Sequence, residues 1–170
     1  MRSRFSCDGI GLSALALVLL SPAALAAEEI TRAAVDTIWL ATSAGLVFLM
    51  QAGFALLEGG MSRSKNSVNV IMKNYMDACV GGLIFWLIGF GLMFGNNPTG
   101  WFGASHFALN AASDWDWTFL FFQMMFAATA TTIASGAMAE RINFNAYILG
   151  ACFISGLIYP VFGSWAWGGY

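Results

Sequence analysis

The chain has 170 residues, of which 59% are hydrophobic and only 9% charged, with a mean hydropathy of +0.71. A soluble domain of this length needs a charged surface to stay dispersed, so the composition excludes that class and points to a membrane protein. The formal net charge of −2 comes with no basic stripe, which excludes a nucleic-acid binder.

The first residues form a unit of their own. Arg2 and Arg4 lead into the apolar run Ile10–Leu20, followed by Ser21-Pro22 and the small-x-small end Ala24-Leu25-Ala26. Basic, apolar and small residues in that order read as a cleaved signal peptide over 1–26, because the apolar run is short for a span. An uncleaved first anchor is the competing reading. With cleavage, the mature chain begins near Ala27, outside the cytoplasm.

Four apolar segments follow, predicted near 35–57, 68–94, 117–139 and 146–167. Each is long enough to cross the hydrocarbon core as a helix, since about twenty residues at roughly 1.5 Å each suffice. None alternates as a barrel strand would, and lipid leaves no partner for open backbone groups. The predicted fold class is therefore an all-α membrane protein.

Basic residues set the orientation. Arg63 and Lys65 lie between the first two spans and Arg141 between the third and fourth, so both connections are expected to be cytoplasmic. The connection 95–116 carries Asp114, Asp116 and His106 but no Lys or Arg, as an outward loop should. Cys7 would leave with the leader, while Cys79 and Cys152 fall inside spans, so no disulfide framework is expected. His106, the lone histidine, reads as a solvated loop side chain.

The third span carries the most specific signal. Phe122 and Phe126 are four apart and fall on one helix face. Below them Ala127, Thr131, Ser135 and Ala139 form one stripe of small residues, and Ala128, Thr132 and Gly136 a second. Small residues on adjacent stripes permit close helix approach, so this half of the helix is expected to face protein. The fourth span ends in Trp165-Ala166-Trp167-Gly168-Gly169. An interfacial aromatic belt explains both tryptophans, yet the glycines beside Trp167 leave room for a small cation over its indole, worth roughly 0.5–2 kcal/mol.

Charges within the spans have two readings each. Lys73 and Asp77, four apart, read first as an intrahelical pair with Lys73 snorkelling to water; alternatively Asp77 lines an inner exit or a subunit contact. Glu58 reads as a local partner of Arg63 and Lys65 that orders the turn. Glu140 beside Arg141 reads as holding the other connection, and Gln51 as bonding across helices. No nucleophile–base pair, phosphate loop or metal-ligand cluster is evident, so neither catalysis nor a cofactor is expected.

Five motifs taken in order, Gln51–Gly60, Ser64-Lys65-Asn66, Phe122-Gln123 with Phe126, Ala139-Glu140-Arg141-Ile142 and Trp167-Gly168-Gly169, make the chain resemble the N-terminal part of an ammonium transporter of the Amt/Rh family over residues 36–170. The resemblance implies four helices of an eleven-helix fold, so that the chain looks like a fragment. It implies an outer site where ammonium sits against Trp167 and Phe126, with Phe126 also gating the pore and Phe122 in the vestibule. The hydroxyl that completes the site and the two pore histidines would come from later helices. It further implies homotrimers, each subunit with its own pore, and a PII-type signal protein as regulatory partner. The expected function is transport of ammonium or methylammonium across the inner (plasma) membrane. The alternative is an ammonium sensor, in which the same fold feeds a cytoplasmic signalling domain.

Overall fold

The structure, a computed structural model, describes residues 22–98, 100–109 and 114–167. The predicted leader lies largely outside the described residues. Among the described residues, four helices are long and apolar enough to cross a membrane. They are α1 (Pro22–Met61), α2 (Ser67–Phe94), α3 (Asp114–Met138) and α4 (Phe144–Trp167). Three bounds fall close to the predicted spans. The first helix is longer than the predicted 35–57, because Ala, Glu and Arg between residues 23 and 34 are strong helix formers that a hydropathy window does not count as span.

By its internal contacts the chain forms two units that meet after Trp39. In the first, the described stretch is an exposed helix with an i, i+4 ion pair, Glu28 to Arg32 at 2.6 Å. The second, residues 40–170, is where the helices pack.

Helices α2 and α4 are not purely α. A π-turn at Asp77–Gly81 opens the middle of α2 and a second lies at Phe85–Gly89. In α4 the π-turn Ile154–Ile158 ends two residues before Pro160, which lacks the N–H that an uninterrupted ladder would need there. The α2/α4 contact is built on missing side chains. A Cβ at Gly81 would lie 2.8 Å from Ser155 Oγ, and one at Gly156 would lie 2.8 Å from Ile84 Cγ2.

The α3 stripes face protein from Ala127 to Ser135, while Gly136 is exposed and Ala139 half-buried. Ala127, Thr131 and Thr132 are fully buried, with Ala128 and Ser135 nearly so, and the Thr131 and Ser155 hydroxyls meet at 2.7 Å. Farther along, Phe85, Phe90, Met93, Leu109 and Leu120 form the apolar core, edged by Phe94, Phe119 and Tyr159. The outside is apolar too, with Leu56, Val68 and Leu149 largely exposed, as suits helices surrounded by hydrocarbon or further apolar helices.

The two short connections meet at one end. Glu140, in a left-handed conformation (φ 61°), accepts from the Arg63 backbone N–H and the Asn66 amide through Oε1, and from Arg63 Nε through Oε2, all within 3.0 Å. Arg63 therefore serves the other connection rather than Glu58. Asn143 caps α4, its side chain accepting from the Ala146 N–H at 2.9 Å.

Candidate functional site

At the opposite end the long loop after α2 is stitched back onto that helix. Gly103 N–H donates to the Leu92 carbonyl at 2.8 Å, Ala104 N–H to Asn96 at 2.9 Å and Ala108 N–H to Leu87 at 2.9 Å. The loop also reaches α4. The Trp101 carbonyl accepts from the Trp165 indole N–H at 2.7 Å and from the buried Ser164 hydroxyl at 3.2 Å. The two indole rings stand edge to face at 5.9 Å. Trp165 thus directs its polar atom to protein backbone.

Trp167 is 61% exposed and has an edge-to-face contact with Phe162 at 6.4 Å. The adjoining Gly168 and Gly169 lie outside the described residues. On α3, Phe122 and Phe126 are half-buried, with centroids 4.9 Å apart and planes at 66°. Edge-to-face geometry at this separation is the arrangement that ring quadrupoles favour.

A second constellation lies toward the short-connection end, within the spans. Asp77 has no solvent exposure and accepts from the Tyr147 hydroxyl, 2.5 Å from each carboxylate oxygen, and from the Thr132 hydroxyl at 3.1 Å. Thr132 in turn accepts from the Gln51 amide, which also reaches the Asn74 carbonyl at 3.1 Å. Glu58 accepts from the Asn74 side chain at 2.8 Å and from Ser135 at 3.3 Å, so it faces α2 and α3 rather than the basic turn. Lys73 is 1% exposed. Its ammonium donates to the Ile142 carbonyl at 3.2 Å and sits 5.0 Å from the Tyr147 ring centroid. The snorkelling, Asp77-paired lysine expected from spacing is therefore replaced by a buried cation held from α4.

Tyr147 is the residue that sequence reasoning missed. A phenol in an apolar segment is the available signal, since a buried tyrosine hydroxyl needs a partner. Trp101 carried no signal, because its carbonyl rather than its side chain accepts both hydrogen bonds. Among the described residues no three His, Cys, Asp or Glu side chains gather to hold a metal ion.

The family model described as Ammonium Transporter Family matches residues 38–170. The chain belongs to that family. Among its relatives, Amt2 of Archaeoglobus fulgidus, named as an ammonium transporter, is 46% identical over 142 residues, covering 79% of the chain and 29% of the relative. A solved structure titled Sensor Amt Protein superposes with a TM-score of 0.79 at 41% identity, over 83% of the chain and 36% of that structure. Mep2 of Candida albicans superposes with a TM-score of 0.71 at 28% identity, over 79% and 31%. The chain spans between 25% and 32% of the length of the curated relatives it matches.

Proposed function

We propose that this chain is the N-terminal part of a channel-like transporter of the inner membrane that recruits ammonium at an outer aromatic site and passes it inward through an apolar pore. The observation that carries the reading is the family match over residues 38–170, which takes in every position of the motifs Gln51–Gly60, Phe122 with Phe126, and Trp167. Trp167 supplies the indole face, Phe126 serves both site and gate, and Phe122 lines the vestibule. The connections bearing Arg63, Lys65 and Arg141 face the cytoplasm by their charge, residues 1–26 act as a leader, and homotrimers with a PII-type partner follow from the resemblance.

The physical logic is a division of labour. A bare cation in mid-bilayer costs several kcal/mol, whereas neutral ammonia crosses an apolar passage readily. A cation–π site outside the constriction selects the charged form where water still solvates it, worth roughly 0.5–2 kcal/mol. An apolar gate beneath admits the neutral one. Asp77 and Lys73 belong to the inner half.

The test is methylammonium uptake by cells expressing the complete coding sequence at matched membrane levels. Trp167→Leu removes the cation–π term and is expected to raise the half-saturating concentration about two- to thirtyfold. Phe126→Ala is expected to alter maximal rate as well. Unchanged rate, concentration dependence and selectivity in both variants would refute the site assignment.

A second reading is favoured by one finding, the superposition on a structure titled Sensor Amt Protein. In that reading the same outer site binds ammonium and the chain signals through a cytoplasmic domain. Uptake by the unmodified protein separates the two, because a pure sensor binds ammonium without accumulating it.

A further inference from the structure

Trp167 is the last described residue of α4, and its indole is 61% exposed. A cation–π contact requires the ring face within about 6 Å of the charge, and its strength falls quickly as the ring swings away. Something must therefore hold the last turn of α4 still, and Phe162 touches Trp167 only edge to face.

The long loop supplies the restraint. It is bound to α2 at Leu87 and Leu92 and closed on itself at Asn96, whose carbonyl accepts from the Ala104 N–H and whose N–H donates to the Ser105 hydroxyl at 2.7 Å. A Cβ at Gly103 would collide with the Gly91 carbonyl, so loop and helix lie backbone to backbone. His106 and Ala108 hold positive φ, at 62° and 49°, a costly conformation that persists only where surrounding contacts over-determine it. From this anchored base the loop presents the Trp101 carbonyl to α4, where it accepts from the Trp165 indole N–H at 2.7 Å and lies 3.2 Å from the Ser164 hydroxyl, which also has the Val161 carbonyl at 2.9 Å. Residues 165 and 167 are about 200° apart around an α-helix. Trp165 thus grips the loop from the side of α4 opposite the Trp167 indole, whereas Ser164 lies about 60° from it.

We infer that Trp101, Ser164 and Trp165 form a latch that fixes the outer turn of α4 and thereby positions Trp167 for cation recruitment. The positioning role rests on the outer-site reading proposed above. These are positioning residues, since none of them is required to touch the cation. The latch makes affinity depend on a side chain that faces away from the ligand.

The experiment uses the complete protein and the variant Trp165→Phe, which keeps an aromatic ring and deletes only the indole N–H, with Ser164→Ala as a second, smaller lesion. Hydrogen exchange of the purified protein reads the latch itself. The amides of residues 100–108 are expected to exchange about two- to tenfold faster in Trp165→Phe, the factor set by one lost hydrogen bond. Methylammonium uptake reads the consequence. The half-saturating concentration is expected to rise about two- to tenfold while maximal rate is kept, and the rise is expected to vanish when Trp167 is already Leu, because both changes then act on one indole.

Unchanged exchange in Trp165→Phe overturns the latch, whatever uptake does. Faster exchange with an unchanged half-saturating concentration, or an effect that adds fully to Trp167→Leu, overturns the positioning role. If Trp167→Leu alone changes nothing, the outer-site reading fails and the positioning role goes with it, while exchange still decides whether the loop is latched.

Discussion

Tyr147 places its hydroxyl 2.5 Å from both carboxylate oxygens of Asp77, and neither side chain has any exposure to solvent. The pair joins the π-turn of α2 to the start of α4. With Thr132 as a second donor and the Lys73 ammonium above the same phenol ring, it forms a polar knot inside otherwise apolar helices. A buried carboxylate is tolerated only when its acceptors are satisfied, so each donor should matter measurably.

Tyr147→Phe removes one donor without changing the ring. It is expected to destabilise the protein by roughly 1–3 kcal/mol, the cost of leaving a buried polar group short of a partner. Asp77→Ala strands two hydroxyls and should cost more. Thermal unfolding in detergent checks both, and a Tyr147→Phe midpoint equal to that of the parent protein would show that the knot is not structural.

Gly81→Ala places a methyl group 2.8 Å from Ser155 Oγ, so α2 and α4 must separate. Overpacking of this kind costs about 1–3 kcal/mol. Because the obstructing atom is a hydroxyl, Ser155→Ala in the same chain should recover part of the loss, giving a non-additive pair. Simple additivity of the two unfolding shifts would mean that the helices do not meet at these residues.

Glu140 links the two short connections, and its protonation should undo the link. The Asn66 amide first, and then the Arg63 backbone N–H and guanidinium, hold its carboxyl below the usual glutamate range. The folded value is depressed, so the stabilisation is complete above the ordinary value of about 4.3 and is lost as pH falls through the lower folded value. Proteolytic nicking at residues 62–66 is expected to increase across that acid window. In Glu140→Gln the protection is expected to be weak and independent of pH, and an unaltered pH profile in that variant would exclude Glu140 as the titrating group.

Much of the helix layout was legible because it depends on local pattern. The α3 stripes of small residues had to face protein, and Thr131, Thr132 and Ser135 do. Phe122 and Phe126, four apart, had to share a face and are in ring contact. Spacing misled at Lys73, Asp77 and Glu58, because an i, i+4 or near-neighbour pairing looks sufficient along one helix. A side chain near a helix crossing has equally close candidates on other helices, and those are invisible in one dimension.

Sequence alone determined that apolar runs of membrane length alternate with short basic and longer unbasic connections, and that the third span carries a face built for close packing. Both follow from hydropathy and helical period, which are properties of neighbouring residues. Only the tertiary structure decided that Asp77 is held by a tyrosine 70 residues away and that the Trp165 indole closes on a carbonyl 64 residues before it. Those pairings depend on helix register, crossing and the π-turns that re-aim side chains, and each is set by the combined packing of four helices rather than by any one of them.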